Sequence, residues 1–436
     1  MNRADFLYDV AVVGGGIAGL SAATFAARSG NRVILLEQSN DPGGRARTKN
    51  IDGFFFNLGP HALYRGGRGI QVLSELGVEV SGKPPIISGA YAVRNGSKHA
   101  FPSGFMSLLT TSLFGAGAKF EAAKFLASLF KIETRDIMGV TLGDWVDSNI
   151  LHHEVREFFH SVFRISTYSN APRLMSAGTA LRQLQLAFTK NVLYLDGGWQ
   201  SIVDGLGRAA LNAGVTIETG SRVQSIDVDQ TGLLSGLQLA SGTWIDTRSA
   251  IIAASPEVAA ALAGERAESL KRFAAKAIPV RVSCLDIALR RLPKPRALYA
   301  FGMDQPFYMS VHSASARLAP EGGALIQLAK YLSPDDSEGA GAEVELEGAL
   351  DLIQPGWRNE LVYRRFLPDM IVTNALTEAR SNGTEGRPSV AVDEVPGLYI
   401  AGDWVGPEGL LADASLASAR QAAESAIATR AEAVAV

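Results

Sequence analysis

The sequence predicts an α/β protein built on a doubly wound parallel sheet. A run of β-forming residues at 8–13, "YDVAVV", leads into a glycine-rich turn, and an alanine-rich helix follows it. A second apolar strand, "RVILLEQ", ends near Glu37. Continuous apolar strands of this kind suit a parallel sheet that is covered on both faces. At 436 residues the chain exceeds one ordinary core, so we expect two domains.

The turn after the first strand carries the spacing G-x-G-x-x-G at Gly14, Gly16 and Gly19. Glycines at these positions permit a tight turn, close approach of the backbone to a pyrophosphate, and close packing of helix on strand. Free N–H groups at the start of the helix, around Ala18, favour phosphate. The carboxylate of Glu37 is placed to accept hydrogen bonds from a ribose and to repel a 2′-phosphate. These residues predict a dinucleotide site, but they do not separate NAD from FAD.

The segment "DPGGRARTKNIDGFFFNLGPHALY" follows Glu37 almost at once. It resembles the flavoprotein superfamily of phytoene desaturases, protoporphyrinogen oxidases and flavin amine oxidases, which carries G-G-R-x-x-T and then G-F-x-F-[DN]-x-G-P. The resemblance implies that FAD is the cofactor. It also implies a discontinuous Rossmann-like FAD-binding domain of the glutathione-reductase type, with an α+β substrate domain. In this chain the matching residues expected along the pyrophosphate and the flavin are Gly43, Gly44, Arg45, Gly59 and Pro60.

Two later stretches extend the resemblance. The strand around Val223 is expected beside the adenine. Near the carboxyl end, Gly402 and Asp403 match the superfamily's G-[DE] pair, whose acid contacts the ribityl–phosphate end. The helix starting near Leu411 is then expected to direct its N-terminus at the flavin pyrimidine. The predicted FAD-binding domain combines residues 1–75, 190–260 and 390–436, and the substrate domain combines 76–189, expected to be helical, with 261–389.

The resemblance implies an FAD-dependent oxidoreductase that takes a hydride from an apolar organic substrate, and three alternatives stay open. A flavin amine oxidase is disfavoured because Trp404 directly follows the acid, Leu410 and Leu411 lie where an aromatic residue is expected, and Lys276 is only a weak match for the lysine near the flavin. A redox-neutral carotenoid-type isomerase is the second alternative. The third is a lipid- or GTPase-binding protein of the same fold without FAD.

Candidate substrate-side residues are His61 and Tyr64, just beyond Gly59–Pro60. Histidine at this edge suits either a cofactor contact or a proton acceptor. Tyr308 and His312 are more remote candidates. A second dinucleotide fingerprint is not found in the sequence, so we expect electrons to pass to oxygen, a quinone or another carrier.

Composition and charge bear on which partners and which cellular location we expect for this protein. A net charge of −3 gives no reason to expect a nucleic-acid partner. The single cysteine, Cys284, fits a reducing cytoplasm, and histidine spacing predicts no metal site. The amphipathic segment 101–130 is expected to form a buried helix pair, with contact to a membrane surface as the alternative. The sequence does not determine the oligomeric state.

Overall fold

The computed structural model describes residues 8–336, 339 and 341–434, with side chains to residue 428. The strands are β1 Val10–Val13, β2 Val33–Leu36, β3 Thr48–Ile51, β4 Phe54–Asn57, β5 Leu63–Tyr64, β6 Gly82–Lys83, β7 Tyr91–Arg94, β8 Ser97–Ala100, β9 Val192–Leu195, β10 Thr216–Glu218, β11 Val223–Val228, β12 Leu234–Leu239, β13 Trp244–Asp246, β14 Ala250–Ile252, β15 Val280–Leu289, β16 Tyr299–Gly302, β17 Phe307–Val311, β18 Ala324–Tyr331, β19 Leu361–Thr373 and β20 Leu398–Ile400. The helices are α1 Ile17–Arg28, α2 Arg68–Glu75, α3 Phe105–Thr110, α4 Ala116–Ser128, α5 Leu142–Asn149, α6 His153–Thr167, α7 Ala177–Lys190, α8 Gln200–Asn212, α9 Pro256–Ala263, α10 Glu268–Lys276, α11 Ala342–Ile353 and α12 Leu411–Val434.

A five-stranded parallel sheet, in the order β10-β2-β1-β14-β20, draws its strands from distant parts of the sequence. Val10 and Val12 of β1 face a core shared with α1, α8 and α12. Ala11 and Val13 face the opposite core, which α9, α10 and the β11–β13 sheet cover. Burial of both faces explains why β1, β2, β14 and β20 are entirely apolar. The predicted α/β class with a parallel sheet is confirmed.

A seven-stranded sheet, in the order β19-β15-β18-β17-β16-β7-β8, forms the second layer. Its neighbouring strands are antiparallel except for β7 and β16. One face is apolar and packs on α11. The other face meets the helices of the first insert in a separate core. This sheet joins the two inserts, because β7 and β8 come from the first and the other strands from the second.

The first insert departs from the prediction of a helical segment at 76–189. Its helices begin at Phe105, whereas residues 82–100 contain the strands β6, β7 and β8. The helical prediction is therefore wrong for that part. The strands form because Tyr91–Arg94 completes hydrogen bonds with β16, some 200 residues further along the chain, and local sequence periodicity does not report such a partner.

The segment 101–130 is only partly buried. Leu108, Ala118, Ala122 and Phe125 lie in the core, as an amphipathic helix pair requires. Its outer surface is nevertheless apolar as well, since Phe105, Met106 and Phe120 are 71, 69 and 73% exposed. The expectation that this pair is buried is therefore wrong for its outer face. Among the described residues, helices with the length and apolarity needed to cross a bilayer are absent.

Candidate functional site

A cavity of about 1030 Å³ lies at the carboxyl ends of the parallel strands. Residues that directly follow four of these strands line it: Gly14 after β1, Glu37 after β2, Ala253 after β14 and Ala401 after β20. Ligands of open parallel sheets bind at this edge, where the strand order changes direction. The volume is at the upper end of the range for small-molecule and cofactor sites.

The glycine turn shapes the wall nearest β1. Gly14 has φ +105°, and a Cβ there would lie 2.6 Å from the carbonyl oxygen of Ala253. A Cβ on Gly19 would lie 1.8 Å from the carbonyl oxygen of Gly14, so α1 packs directly on the turn. A Cβ on Gly16 would meet no heavy atom within 4 Å. Gly16 precedes α1 and lines the cavity together with Ala18, so its missing side chain leaves room for a ligand.

Glu37 closes the end of β2 and is buried. Its carboxylate accepts hydrogen bonds from the backbone N–H of Gly15 at 2.6 Å and of Ser39 at 2.7 Å. A carboxylate offers about four acceptor positions, so two bonds leave capacity for the hydroxyl groups of a ribose. The site therefore has the acceptor that an adenosine ribose needs.

Arg45 and Asp403, 358 residues apart in sequence, form an ion pair at 2.8 Å. Both line the cavity, together with Gly43, Gly44 and Gly402. The described hydrogen bonds of Arg45 use Nη1, which donates to Asp403 and to the carbonyl of Val372 at 2.8 Å. Its Nε and Nη2 hydrogens are left for an anionic ligand, since a guanidinium has five donors. The ion pair joins the amino-terminal and carboxy-terminal turns at one place.

The two candidate substrate-side residues have different surroundings. His61 lines the cavity, its Nδ1 is 3.0 Å from the carbonyl oxygen of Gly59, and its ring lies 5.1 Å from that of Trp199. Burial, aided by the positive charge of Arg45, lowers the pKa of His61. Tyr64 is not among the lining residues; its buried hydroxyl donates to the carbonyl of Ser166 at 2.9 Å. This contact argues against the predicted substrate-side role of Tyr64, because its polar atom is directed into the core.

Most of the remaining predicted cofactor residues line the cavity. Pro60, Val223 and Leu411 line the cavity, whereas Gly59, with φ +75°, is not among its lining residues. Leu411 begins α12 with φ +56°, a left-handed conformation that is unusual for leucine.

The weaker candidates lie away from the walls of the cavity. Tyr308 hydrogen-bonds Tyr194 at 2.8 Å, and His312 stacks on Tyr194. Lys276 is exposed at the end of α10. Trp404 is buried and donates to the carbonyl of Ala254. These positions give neither the lysine nor the aromatic residue that an amine site would require.

Sequence reasoning missed several lining residues. Arg47 and Arg222 add positive charge to the lining. Arg47 lies two residues after Arg45, so its position within the G-G-R-x-x-T segment was a signal for it. Asn374 donates to Asp403 through its side-chain amide at 2.8 Å. Tyr168 and Met370 come from the inserts and carry no recognisable motif. The wall beside His61 is mostly apolar, with Leu58, Ala62, Val282, Met370 and Val372.

The parallel sheet, the glycine turn and the acid at the end of β2 define a dinucleotide-binding protein. The chain belongs to the family described as flavin-containing amine oxidoreductase, whose model matches residues 17–281, more than half of the chain. The family cofactor is FAD. The cavity suits this group, because it combines an unobstructed Gly16, the acceptor Glu37 and the arginines Arg45, Arg47 and Arg222.

Known proteins similar to this chain include carotenoid enzymes. The chain is 29% identical over 266 residues to a carotenoid 3,4-desaturase of Haloarcula japonica, covering 52% of each protein. It is 24% identical over 275 residues to a 4,4'-diaponeurosporene oxygenase of Staphylococcus aureus, covering 54% of this chain and 53% of that one. The chain thus spans about half the length of the curated relatives it matches. A solved oxidoreductase from Methanosarcina mazei shares the fold, with a TM-score of 0.77 and 18% identity over 95% of this chain and all of the other.

Proposed function

We propose that this chain is an FAD-dependent oxidoreductase that takes a hydride from a largely apolar organic substrate and passes electrons to oxygen, a quinone or another carrier. The observation that carries the proposal is the division of the cavity. Part of the lining carries Glu37 and three arginines, whereas Leu58, Ala62, Val282 and Met370 are apolar, and Arg45 also lies close to the His61 ring. An apolar wall excludes water and accommodates a hydrocarbon. The similarity to a carotenoid desaturase and a diaponeurosporene oxygenase supports the same substrate class.

FAD, when bound, supplies the hydride acceptor. The residues of this chain hold and orient it. In this proposal the N–H groups at the start of α1 and the arginines bind the pyrophosphate, and Glu37 binds the ribose. Val223 contacts the adenine, and the first turn of α12 at Leu411 lies at the pyrimidine edge. His61 is a titratable side chain on the cavity wall, and burial lowers its pKa, so the neutral ring is able to accept a hydrogen bond or a proton.

We also propose the division of the chain into an FAD-binding domain of residues 1–75, 190–260 and 390–436 and a substrate domain from the two inserts. The five strands of the parallel sheet come from all three of the first segments, and the seven-stranded sheet comes from the inserts. The proposed substrate domain supplies Tyr168, Val282 and Met370 to the lining of the cavity.

The test of function is anaerobic titration of the purified flavoprotein with a panel of polyenes, porphyrinogens and amines. We expect a polyene or another apolar compound to bleach the flavin without NAD(P)H. Bleaching by an amine alone would make the chain an amine oxidase, the activity that the family description suggests. Turnover of a polyene only after prior reduction of the flavin would indicate an isomerase. A preparation that stays colourless with added FAD would indicate a binding protein.

We further propose that the outer face of 101–130 docks on anionic lipid. Phe105, Met106 and Phe120 are exposed on α3 and α4, the exposed Lys124 lies on α4, and the exposed Lys131 directly follows the segment. Apolar side chains that insert between headgroups, with cations beside them, are typical of membrane-surface helices. A surface position would give an apolar substrate a route from the bilayer. The cytoplasmic location remains a prediction.

Vesicle sedimentation tests this surface. A variant with Phe105→Ser, Met106→Ser and Phe120→Ser should bind phosphatidylglycerol vesicles at least about tenfold more weakly, because each apolar side chain loses most of its transfer free energy. The matched control replaces Trp244 and Val344, exposed apolar residues on other elements, with serine. Equal binding by the two variants would contradict the proposal.

A further inference from the structure

The turn that carries His61 is held by side chains from outside it. Three of its carbonyl groups accept hydrogen bonds from residues of the two inserts. The pairs are Asn57 with the Arg365 guanidinium, Gly59 with Gln327 Nε2 at 2.9 Å, and Pro60 with the Tyr168 hydroxyl at 3.0 Å. The donors lie on β19, on β18 and at the end of α6. The conformation of the turn is therefore set by the substrate side of the molecule.

A buried carboxylate fixes two of these donors. Asp286 on β15 is fully buried and accepts from Arg365 Nη2 at 2.6 Å and Nε at 3.1 Å. It also accepts from Gln327 Nε2 at 3.3 Å. A buried carboxylate is tolerated only with such partners. Because β15 lies between β18 and β19 in the sheet, Asp286 holds Gln327 and Arg365 in one arrangement.

The arrangement bears on which nitrogen of His61 carries the proton. Nδ1 is 3.0 Å from the carbonyl oxygen of Gly59, the same oxygen that accepts from Gln327. A carbonyl oxygen only accepts, so Nδ1 must be the donor. A neutral imidazole with its hydrogen on Nδ1 has its lone pair on Nε2. The contact with Gly59 favours the tautomer whose Nε2 accepts, and the backbone of Arg45, also close to the ring, competes with Gly59 for a ring N–H.

We propose that Gln327, oriented by Asp286 and Arg365, is a positioning residue that holds Gly59 and thereby presents Nε2 of His61 as an acceptor in the cavity. This inference rests on the proposed function only for the role of His61 Nε2 toward the substrate or the flavin. The tautomer itself is a property of the protein and is measurable without any substrate.

The first experiment records nitrogen spectra of the purified flavoprotein labelled with 15N-histidine, with the His61 signals assigned by loss in His61→Phe. Gln327→Leu removes the amide that holds Gly59. The matched control is Gln354→Leu, since Gln354 is also fully buried and donates to backbone carbonyls, those of Lys294 and Ala297, away from the turn. We expect a single tautomer with hydrogen on Nδ1 in wild type and Gln354→Leu, and a mixture in Gln327→Leu. An unchanged His61 tautomer in Gln327→Leu would overturn the proposal.

The second experiment measures flavin reduction by a carotenoid in detergent micelles. Gln327→Leu should lower the rate constant about 100-fold with little change in KM, the effect of misplacing one reacting group. In the His61→Phe background the same substitution should change the rate less than about twofold, because the two act as one unit. An equal loss in both backgrounds would show a general structural effect and overturn the inference. If the carotenoid fails to reduce even wild type, the proposed substrate class fails while the spectra still decide the tautomer.

Discussion

Substitution of Gly16 by valine separates cofactor binding from folding. Gly16 has φ −73° and ψ −180°, an extended conformation open to valine. A Cβ there meets no protein atom within 4 Å. Valine in place of glycine at the N-cap of a helix costs about 1 kcal/mol of stability. The isopropyl group instead occupies the cavity beside Ile17 and Ala18, where the pyrophosphate is proposed to lie.

The size of the effect follows from binding linkage. FAD at 100 times its dissociation constant stabilises the wild type by about 2.7 kcal/mol. If the valine weakens binding about 100-fold, the same FAD concentration equals the new dissociation constant and stabilises by only about 0.4 kcal/mol. The thermal shift on adding FAD should therefore nearly disappear. The protein without FAD should unfold within a few degrees of wild type without FAD.

Thermal unfolding with and without FAD, together with the flavin absorbance of the purified protein, makes the measurement. Gly207→Val is the control. Gly207 lies on α8, a Cβ there would meet no heavy atom within 4 Å, and the residue does not line the cavity. Gly19→Ala should behave differently from both, because its Cβ would collide with Gly14 and destabilise the fold with or without FAD. Wild-type flavin content in Gly16→Val would refute the assignment of this turn to the cofactor.

Two further predictions concern buried groups. Burial raises the pKa of Asp413 to about 6. Between pH of about 4 and 6 the folded state therefore holds a proton that the unfolded state releases. The free energy of unfolding consequently falls as the pH rises through this range. The substitution Asp413→Asn keeps the acceptor for the N–H of Gly69. It should raise the free energy of unfolding by up to about 3 kcal/mol at pH 7 and by much less at pH 4. An equal gain at both pH values would contradict this prediction. Burial also raises the pKa of the Cys284 thiol. Iodoacetamide should therefore leave Cys284 of the native protein unmodified at pH 8 and label it fully in guanidinium. Rapid labelling of the native protein would contradict the buried position of Cys284.

Much of the cofactor side could be predicted because its determinants lie close together in sequence. Gly14, Gly16, Gly19 and Glu37 fall within 24 residues, and the positive φ of Gly14 and the contact of Gly19 with Gly14 are local. The start of α12 at Leu411 also matches the sequence pattern that predicted it. The orientation of Tyr64 could not be predicted, because it depends on the carbonyl of Ser166, 102 residues away.

The sequence by itself determined the fold class and the strands and helix around the glycine turn, since these depend on backbone sterics and periodicity over a short stretch. The cofactor followed from the resemblance to the flavoprotein superfamily. Only the tertiary structure decided that Arg45 pairs with Asp403, that Gln327 holds the carbonyl of Gly59, and that Phe105 and Phe120 are exposed. These features join or separate residues up to several hundred positions apart. They depend on strand register and on the packing of whole layers, which no local pattern of residues encodes.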